Sequence, residues 1–345
     1  MKRTILSLAG TALLLGILHA ALRGGGTPSA PSPSRIVTDA GGRVREIVMH
    51  FVPGSEWVEP SWRDFLRAID PDVRVTVVCE NEAAERAFRA KLASWGVSSP
   101  ERFRAVFLNR SLTPWCHDRF LATDRILWVP PTPHRGGVER QNEWRTPWAI
   151  GGRGLEVRIA PFHFEGGDFA ATDRFVFATE VLVSRNPHLP REVLRNLVEE
   201  VCGRKLVLIE GDVPEHHIGM FFAPVDRQTM LVGDARLGAR LLGREVDLEM
   251  ARRLDHVADT LVREGFAVRR IPFQTTGKEY AWITYTNVLL SGRIVYLPQF
   301  GMETDAAAAE TYRSLGFEVR PIDVRGIYTE GGTLRCLLHI LRREA

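Results

Sequence analysis

The order of apolar and polar positions along the chain predicts alternating helices and strands. Trp62, Phe65, Leu66 and Ile69 recur at i, i+3, i+4 and i+7, which places them on one face of a helix. Similar amphipathic stretches predict further helices at about residues 82–95, 191–201, 248–264 and 305–315. Runs rich in β-branched and aromatic residues predict strands at 46–52, 74–79, 103–108, 125–129, 155–159, 205–209, 229–232, 267–271, 282–290, 293–297 and 318–322.

These elements indicate a repeated architecture. Each of the five helices is followed within a few residues by a strand, at a spacing of roughly 50 to 60 residues. The even mixing of helices and strands favours the α/β class, although the units show no visible sequence identity. Residues 131–148, polar and rich in Arg, Gly and Pro, predict a long surface loop or lid. We find no linker after residue 34 that would divide the rest into separate domains.

The first 34 residues have the character of an export leader. Lys2 and Arg3 precede an apolar run over residues 5–18, which is too short for an ordinary membrane-spanning helix and fits a signal peptide. The cleavage site lacks the usual small residue, so an uncleaved N-terminal anchor is the alternative. We therefore predict a signal peptide or anchor at 1–21, a flexible Gly/Ser/Pro linker at 22–40, and one catalytic domain at 41–345 of a periplasmic or secreted protein.

The net charge belongs to this leader. The chain has 45 Lys+Arg against 42 Asp+Glu, a formal charge of +3. Lys2, Arg3 and Arg23 lie in the leader, which contains no acidic residue, so the remainder of the chain is formally neutral. The body therefore has no bias toward polyanions, and we expect no nucleic-acid partner.

The cysteines argue against a disulfide framework and a structural zinc site. Four of them are scattered over the chain, and none forms a CxxC pair. Export would permit one or two bridges, and a free nucleophilic thiol is the competing interpretation. The four are Cys79, Cys116, Cys202 and Cys336.

Four short segments carry residues with catalytic potential. They cover residues 115–118, 164–168, 215–219 and 330–336, and each taken alone also has an ordinary structural explanation. Together they supply a Cys, a His and two acids on loops at strand ends, the set needed for thiolate attack on a cationic carbon. The chain has no GxSxG elbow, Walker loop, HExxH motif or GxGxxG after a strand, and its order Asp, Glu, His, Cys differs from that of papain-like proteases.

That order resembles the guanidino-group-modifying superfamily, in particular the agmatine deiminase and Porphyromonas-type peptidylarginine deiminase family. The resemblance covers most of the chain after about residue 45. It rests on six segments in the family's order: Trp115 to Asp118, Glu165 to Gly167, Arg185 to Leu189, His217 with its neighbours, Tyr285 to Asn287 with Pro298 to Phe300, and Gly331-Gly332 ahead of Cys336.

The resemblance implies a pentein fold, an α/β propeller of five ββαβ-type units about a pseudo-fivefold axis with the active site at the centre. It implies that Cys336 attacks the guanidinium carbon to form a covalent thiouronium intermediate, which water resolves to a ureido product. His217 would protonate the leaving ammonia and then activate water, while Asp118 and Glu165 hold the substrate or orient the histidine. The expected substrate is agmatine or an arginine-containing peptide, without a metal or organic cofactor.

Further candidates for substrate binding are Trp115, Asp168 and Asn287. The chain departs from the family at Gly219, where the family has the Asp of a His-x-Asp motif, and at His117, where it commonly has Arg. Three interpretations stay open: another acid such as Asp168 or Asp226 substitutes, the substrate carries less positive charge than a free guanidinium, or catalysis is weakened or lost. A non-catalytic binding protein and an amidinotransferase are the alternative functions.

Overall fold

The computed structural model describes residues 34–152 and 154–344. Near the start of the described residues, Ile36 N donates to Cys202 O at 2.8 Å and Ile36 forms an isolated bridge with Thr123. The predicted linker boundary at residue 40 was therefore wrong, because residues 34–40 lie against the domain. The predicted signal peptide lies outside the described residues. Among the described helices, none is both long and apolar enough to span a membrane.

The strands are short and belong to small sheets. In chain order they are β1 (Arg43–Phe51), β2 (Arg74–Cys79), β3 (Phe103–Phe107), β4 (Leu121–Ala122), β5 (Ile126–Val129), β6 (Glu156–Ile159), β7 (Ala170–Ala171), β8 (Phe175–Thr179), β9 (Lys205–Ile209), β10 (Phe222–Pro224), β11 (Thr229–Asp234), β12 (Ala267–Thr275), β13 (Trp282–Thr284), β14 (Leu289–Ser291), β15 (Ile294–Gln299), β16 (Glu318–Asp323) and β17 (Leu338–Glu344).

The helices connect these strands within each unit. They are α1 (Glu59–Ala68), α2 (Glu82–Ser94), α3 (Val138–Asn142), α4 (Thr146–Ile150), α5 (Glu180–Arg185), α6 (Arg191–Cys202), α7 (Ala235–Leu242), α8 (Leu248–Arg263) and α9 (Thr304–Ser314).

Five sheets repeat one pairing scheme, which confirms the predicted five-unit architecture. In each, two strands pair antiparallel, and the second then pairs in parallel with a strand that follows one or more helices. A parallel pair needs such a crossover, so the helical stretches of the sequence mark the parallel connections. The sheets are β17-β1-β2-β3, β4-β5-β6, β7-β8-β9, β10-β11-β12-β13 and β14-β15-β16.

The first and last described strands belong to the same sheet. β17 pairs antiparallel with β1, with Met49 opposite Leu338, and β1 pairs in parallel with β2. The C-terminal strand therefore supplies the first unit with the strand that the other units take from their own sequence. This closure brings the segment around Cys336 beside residues from the first half of the chain.

The first predicted helix shows why these segments fold as they do. In α1, Trp62, Phe65 and Leu66 are buried, and Pro60 occupies the first turn, where a missing backbone N–H costs nothing. Trp62 packs against Phe51 of β1, with ring centroids 5.2 Å apart. The apolar face of the helix thus covers the sheet, as the i, i+3, i+4 pattern predicts.

Two predictions from the sequence were wrong in detail. Residues 131–148 are not one long loop, because they contain α3, a 3-10 helix and the start of α4, and the side chains of Glu143 and Thr146 are buried there. The predicted strand at 282–290 is two strands, β13 and β14, separated by residues 285–288. Strands of two or three residues, such as β4, β7 and β10, are too short to produce a periodic pattern.

Candidate active site

Each of the five units contributes a candidate residue from the same topological position. In every unit the first strand, β4, β7, β10, β14 or β17, is preceded by a tight turn or 3-10 helix. The 3-10 helix before β7 contacts those before β4 and β10, and the one before β4 also contacts the one that leads into β17. These turns carry, in chain order, Asp118, Glu165, His217, Asn287 and Cys336.

The glycines of the Glu-Gly-Gly segment allow three of these turns to meet. A Cβ on Gly166 would lie 2.2 Å from the carbonyl oxygen of His117. A Cβ on Gly167 would lie 2.4 Å from Cγ of His217. Any side chain at either position would force the turns apart, so the sequence needs glycine here for close approach.

A second glycine pair shapes the approach to Cys336. Gly331 has φ +85°, a left-handed conformation that glycine adopts without strain. A Cβ on Gly332 would lie 2.8 Å from Cζ3 of Trp115 and 3.2 Å from Cβ of Cys336. Trp115 is buried, packs near Trp57 with ring centroids 5.7 Å apart, and lines the cavity that contains Cys336.

His217 lies between two carboxylates. Its Nδ1 is 3.4 Å from Asp118 Oδ1, and its Nε2 is 2.9 Å from Glu165 Oε2. Burial opposes protonation of the ring, but the two carboxylates outweigh it and raise the pKa of His217 to about 9. The resting histidine is therefore an imidazolium that can donate a proton.

Glu165 is the centre of a charged network that the sequence did not reveal. Its carboxylate lies 2.6 Å from Arg185 Nη2, 3.1 Å from His134 Nε2 and 3.7 Å from Arg119 Nη1. Burial disfavours its charge, but His134, His217 and Arg185 hold the pKa of Glu165 well below its ordinary value. This carboxylate is therefore ionised, and most of its charge is engaged by the protein itself.

Asp168 belongs to the same network but is not a free ligand. Its Oδ2 lies 2.9 Å from Arg185 Nε and accepts a hydrogen bond from the backbone N of Glu165 at 2.8 Å. Burial raises its pKa against the opposing charge of Arg185. Ligand atoms of Glu165, Asp168 and His217 lie within 4.8 Å of one another, but Arg185 already supplies positive charge to both carboxylates, so the cluster does not fit a metal ion.

Cys336 is a buried thiol held by an oriented amide. Asn287 Oδ1 accepts hydrogen bonds from Thr333 Oγ1 at 2.6 Å and from the backbone N of Arg335 at 2.9 Å. Its Nδ2 therefore faces Cys336 Sγ, 3.5 Å away. Burial and Asp118 raise the pKa of the thiol to about 11, opposed by the hydrogen bonds from Thr333 and Asn287 and by the charge of Arg335.

The other three cysteines do not compete for the nucleophilic role. Cys79, Cys116 and Cys202 are buried free thiols outside the cavity lined by Cys336. Burial raises the pKa of Cys79 and of Cys202 to about 12, and it raises that of Cys116 well above the ordinary value.

Among the described residues, no carboxylate takes the position beside Gly219. Its open side faces the guanidinium of Arg335, which forms an ion pair with Asp39 at 2.6 Å. Asp226 lies in a turn, where it accepts backbone hydrogen bonds from Gln228 and Thr229. Of the two acids considered as substitutes, therefore, only Asp168 lies in the site, and it is paired with Arg185.

His117 has a structural role. It is buried, its Nδ1 is 3.2 Å from the carbonyl oxygen of Leu338, and burial with nearby positive charge lowers its pKa well below the ordinary value. Its carbonyl oxygen accepts from the ring of His339. This neutral histidine connects the turn before β4 to strand β17.

Two connected cavities open onto the site. One, of about 400 Å³, is lined by Trp115, Asp118, Glu165, His217 and Cys336 among others. The other, of about 510 Å³, shares part of that lining and extends along the segment 130–144 and the end of α5. All seven candidates from the sequence thus lie in or next to one site. The residues that sequence reasoning missed in these cavities are Arg119, His134, Arg140 and Arg185. It also missed Arg335, which lines neither cavity and lies beside Gly219.

Comparison with solved structures identifies the fold as the pentein fold. A C. jejuni agmatine deiminase superimposes with a TM-score of 0.69 at 14% identity, covering 89% of this chain and 95% of that one. An agmatine deiminase of Enterococcus faecalis gives 0.64 at 15% identity, covering 92% and 98%. An amidinotransferase from the saxitoxin biosynthetic pathway of Microseira wollei gives 0.51 at 14%, covering 90% and 98%.

The sequence also matches a family. A search of curated proteins finds no match. The sequence model of the Porphyromonas-type peptidyl-arginine deiminases matches residues 48–339, a range that includes all seven candidate residues. The chain therefore belongs to the Porphyromonas-type peptidyl-arginine deiminase family.

Proposed function

We propose that the protein is an exported deiminase that hydrolyses a guanidinium group to a ureido group and ammonia through a covalent Cys336 intermediate. Family membership supports guanidino-group deimination, and the N-terminal leader supports export. The observation that carries the proposal is the position of His217, between the carboxylates of Asp118 and Glu165 and in the same cavity as Cys336.

Asp118 is the group best placed to bind the guanidinium. Its Oδ1 is buried and accepts no hydrogen bond from the described residues, and its charged neighbours lie at 3.4 Å or more. A guanidinium is planar and offers paired N–H donors that match such a carboxylate. Substrate binding would satisfy this oxygen and place a cation beside the thiol.

The chemistry then follows from the charges. The incoming cation lowers the pKa of Cys336, the thiol proton leaves to solvent, and the thiolate bonds to the guanidinium carbon. The bond from that carbon to one nitrogen breaks as His217 gives its proton to the departing ammonia. Neutral His217 next takes a proton from water, whose oxygen bonds to the carbon, and the carbon–sulfur bond breaks to release the ureido product.

The larger cavity favours a substrate that carries a carboxylate. Its walls include Arg135 and Arg140, neither of which makes an ion pair among the described residues, beside the already paired Arg185. Two acids line the smaller cavity, and a basic side chain partly neutralises the negative charge of each. Glu215 lies 3.7 Å from Arg253, and Glu330 lies 3.4 Å from Lys278.

Agmatine carries a second cation that these arginines repel, whereas a peptide ending in arginine offers a carboxylate to them. An exported enzyme also encounters peptides more readily than a cytoplasmic amine. We therefore propose peptidyl-arginine with a free C-terminal carboxylate as the substrate, which would give a citrulline residue.

A matched substrate series tests this function. Full-length protein is incubated with agmatine, free arginine, a peptide ending in arginine and the same peptide with an amidated C-terminus, and the ureido product and ammonia are measured. We expect the free-carboxylate peptide to be the best substrate and the Cys336→Ala variant to give no product with any. Absence of product from all four substrates contradicts deimination, and a preference for agmatine contradicts the proposed substrate class.

The lack of a carboxylate at residue 219 favours a second candidate, a protein that binds guanidino compounds without turnover. In that case Cys336→Ala retains the ligand affinity of the wild-type protein, and neither protein forms a ureido product. Isothermal titration calorimetry with the same peptides, combined with the product assay, separates the two candidates.

A further inference from the structure

Arg335 comes directly before Cys336 in the chain, and its guanidinium lies where a side chain at residue 219 would project. A Cβ on Gly219 would lie 2.7 Å from Arg335 Nη1 and 3.4 Å from Asn287 Nδ2. A Cβ atom and a nitrogen that is not bonded to it do not approach as closely as 2.7 Å. A larger residue at 219 would therefore require Arg335 to move. The identity of residue 219 and the position of Arg335 are therefore coupled.

Arg335 is not free to swing aside. Its side chain is only 12% exposed, forms the 2.6 Å ion pair with Asp39, and donates from Nη2 to the carbonyl oxygen of Phe169 at 3.1 Å. Asp39 is anchored in turn, because its backbone N donates to Ala171 O at 2.8 Å and its Oδ2 accepts from Ala171 N at 2.7 Å. The guanidinium is thus fixed from two units of the fold.

The backbone and the side chain of Arg335 both influence Cys336. Its backbone N helps to fix the amide of Asn287, which presents Nδ2 to Cys336 Sγ. Its guanidinium shares the space beside Gly219 with Asn287 Nδ2, which lies 3.5 Å from Cys336 Sγ. Its positive charge makes the smallest of the contributions that lower the pKa of Cys336 against burial and Asp118. A charge of this sign stabilises the thiolate and not the thiol.

We propose that Arg335 is a positioning residue of the active site, whose buried guanidinium fills the space beside Gly219 and supplies the fixed positive charge that prepares Cys336 for attack. The inference deepens the proposed function and rests on it only for the role of Cys336. In this arrangement part of the activation of the thiol is built into the protein and does not depend on the charge of the substrate.

Other charged groups also face Cys336 and must stay unchanged in the test. They come from the turns before β4, β7 and β10, from the segment 134–140, from α5, from the loop before β13 and from the turn before Gly331. They are Asp118, His134, Arg140, Glu165, Arg185, Glu215, His216, His217, Tyr280 and Glu330. None of these is altered in the variants below. Differences between the variants therefore report the charges of Arg335 and Asp39.

The test measures the thiol directly and needs no substrate. The rate of Cys336 alkylation by iodoacetamide is followed against pH in the full-length protein, with the modified peptide located by mass spectrometry. We expect Arg335→Gln to raise the midpoint of the pH profile, and Arg335→Lys to keep it near the wild-type value. Asp39→Asn, which removes a negative charge from the same pair, should leave the midpoint unchanged or lower it.

A purely structural role for the pair gives a different result. In that case Asp39→Asn and Arg335→Gln behave alike, or Arg335→Gln leaves the midpoint unchanged, and either outcome overturns the proposal. If Arg335→Gln does not fold, as judged by circular dichroism, the double variant Asp39→Asn/Arg335→Gln is compared with Asp39→Asn alone, and the same upward shift is expected. Failure to detect deiminase activity leaves this measurement unaffected, so the two proposals fail separately.

Discussion

Replacing Glu165 by Gln removes one of the two carboxylates that keep His217 protonated. Glu165 Oε2 lies 2.9 Å from His217 Nε2, and the two side chains are 11% and 15% exposed. With about 4 Å between the centres of charge and an effective dielectric constant of about 20, Coulomb's law gives about 4 kcal/mol. Because Asp118 stays in place and Gln retains a hydrogen-bond acceptor, we expect about half of this to be lost, about 1.5 pKa units.

Nuclear magnetic resonance of the histidine side chains measures this change directly. The pKa of His217 should fall from about 9 in the wild-type protein toward 7.5 in Glu165→Gln, a shift of about 1.5 units. The alkaline limb of the deimination rate should move down by a similar amount, because the proton donor for departing ammonia is lost at lower pH.

Glu143→Gln is the matched control. Glu143 is also a buried glutamate that pairs with Arg119, at 2.8 Å, but it accepts its hydrogen bonds from Thr113 and does not contact His217. This variant should lower the free energy of unfolding without moving the pKa of His217. If His217 titrates at the wild-type pH in Glu165→Gln, or shifts equally in Glu143→Gln, the carboxylate pair is not what charges the histidine.

Four further predictions follow from the same contacts. Gly167→Ala should lower kcat at least tenfold while the protein stays folded, because its methyl group would lie 2.4 Å from the ring of His217; steady-state kinetics and circular dichroism check both. Asn186→Ala should lower the free energy of unfolding in urea by about 2 to 4 kcal/mol, since this buried amide bonds to both backbone groups of His163. Arg140→Gln should raise KM for the free-carboxylate peptide and leave that for its amide unchanged. The raised pKa of His217 stabilises the folded state fully below about pH 6.5 and is lost as the pH rises through 9, so denaturation across this window should show a steeper decline in the wild-type protein than in His217→Gln.

The architecture could be predicted because its signals are local and repeated. The helix that begins at Glu59 shows apolar residues at helical spacing, and the strand Arg74–Cys79 is a run of mostly β-branched residues. The strand has the bounds that the sequence predicted. Short first strands such as β4, β7 and β10 have too few residues to show an alternation of apolar and polar positions. Their role appears only in three dimensions, where each follows a turn that carries a site residue.

The candidate site could be predicted as a set of residue types, but its charge balance could not. Asp118, Glu165, His217 and Cys336 stand out in the sequence because each lies in a loop with glycine or aromatic neighbours. Glu143 was part of a predicted surface loop, yet it is fully buried against an arginine of the site. An ion pair between residues far apart in the chain leaves no local pattern.

The group that fills the space beside Gly219 could not be predicted from the sequence either. The sequence indicated a missing carboxylate and left open what would replace it. The structure places the guanidinium of Arg335 there, paired with Asp39 from the beginning of the described chain. Gly219 and Arg335 are more than a hundred residues apart in the chain. They come together only in the folded protein, where β17 pairs with β1 and brings the segment around Cys336 into the site.

The most direct test of the account is to trap the intermediate on Cys336. Full-length protein is mixed with a peptide ending in arginine, quenched in acid during turnover and examined by mass spectrometry after digestion. We predict an adduct on Cys336 whose mass is that of the peptide less ammonia, and none in the Cys336→Ala variant. Ureido product without any adduct on Cys336, or product from Cys336→Ala at the wild-type rate, would contradict the central claim that this thiol is the nucleophile.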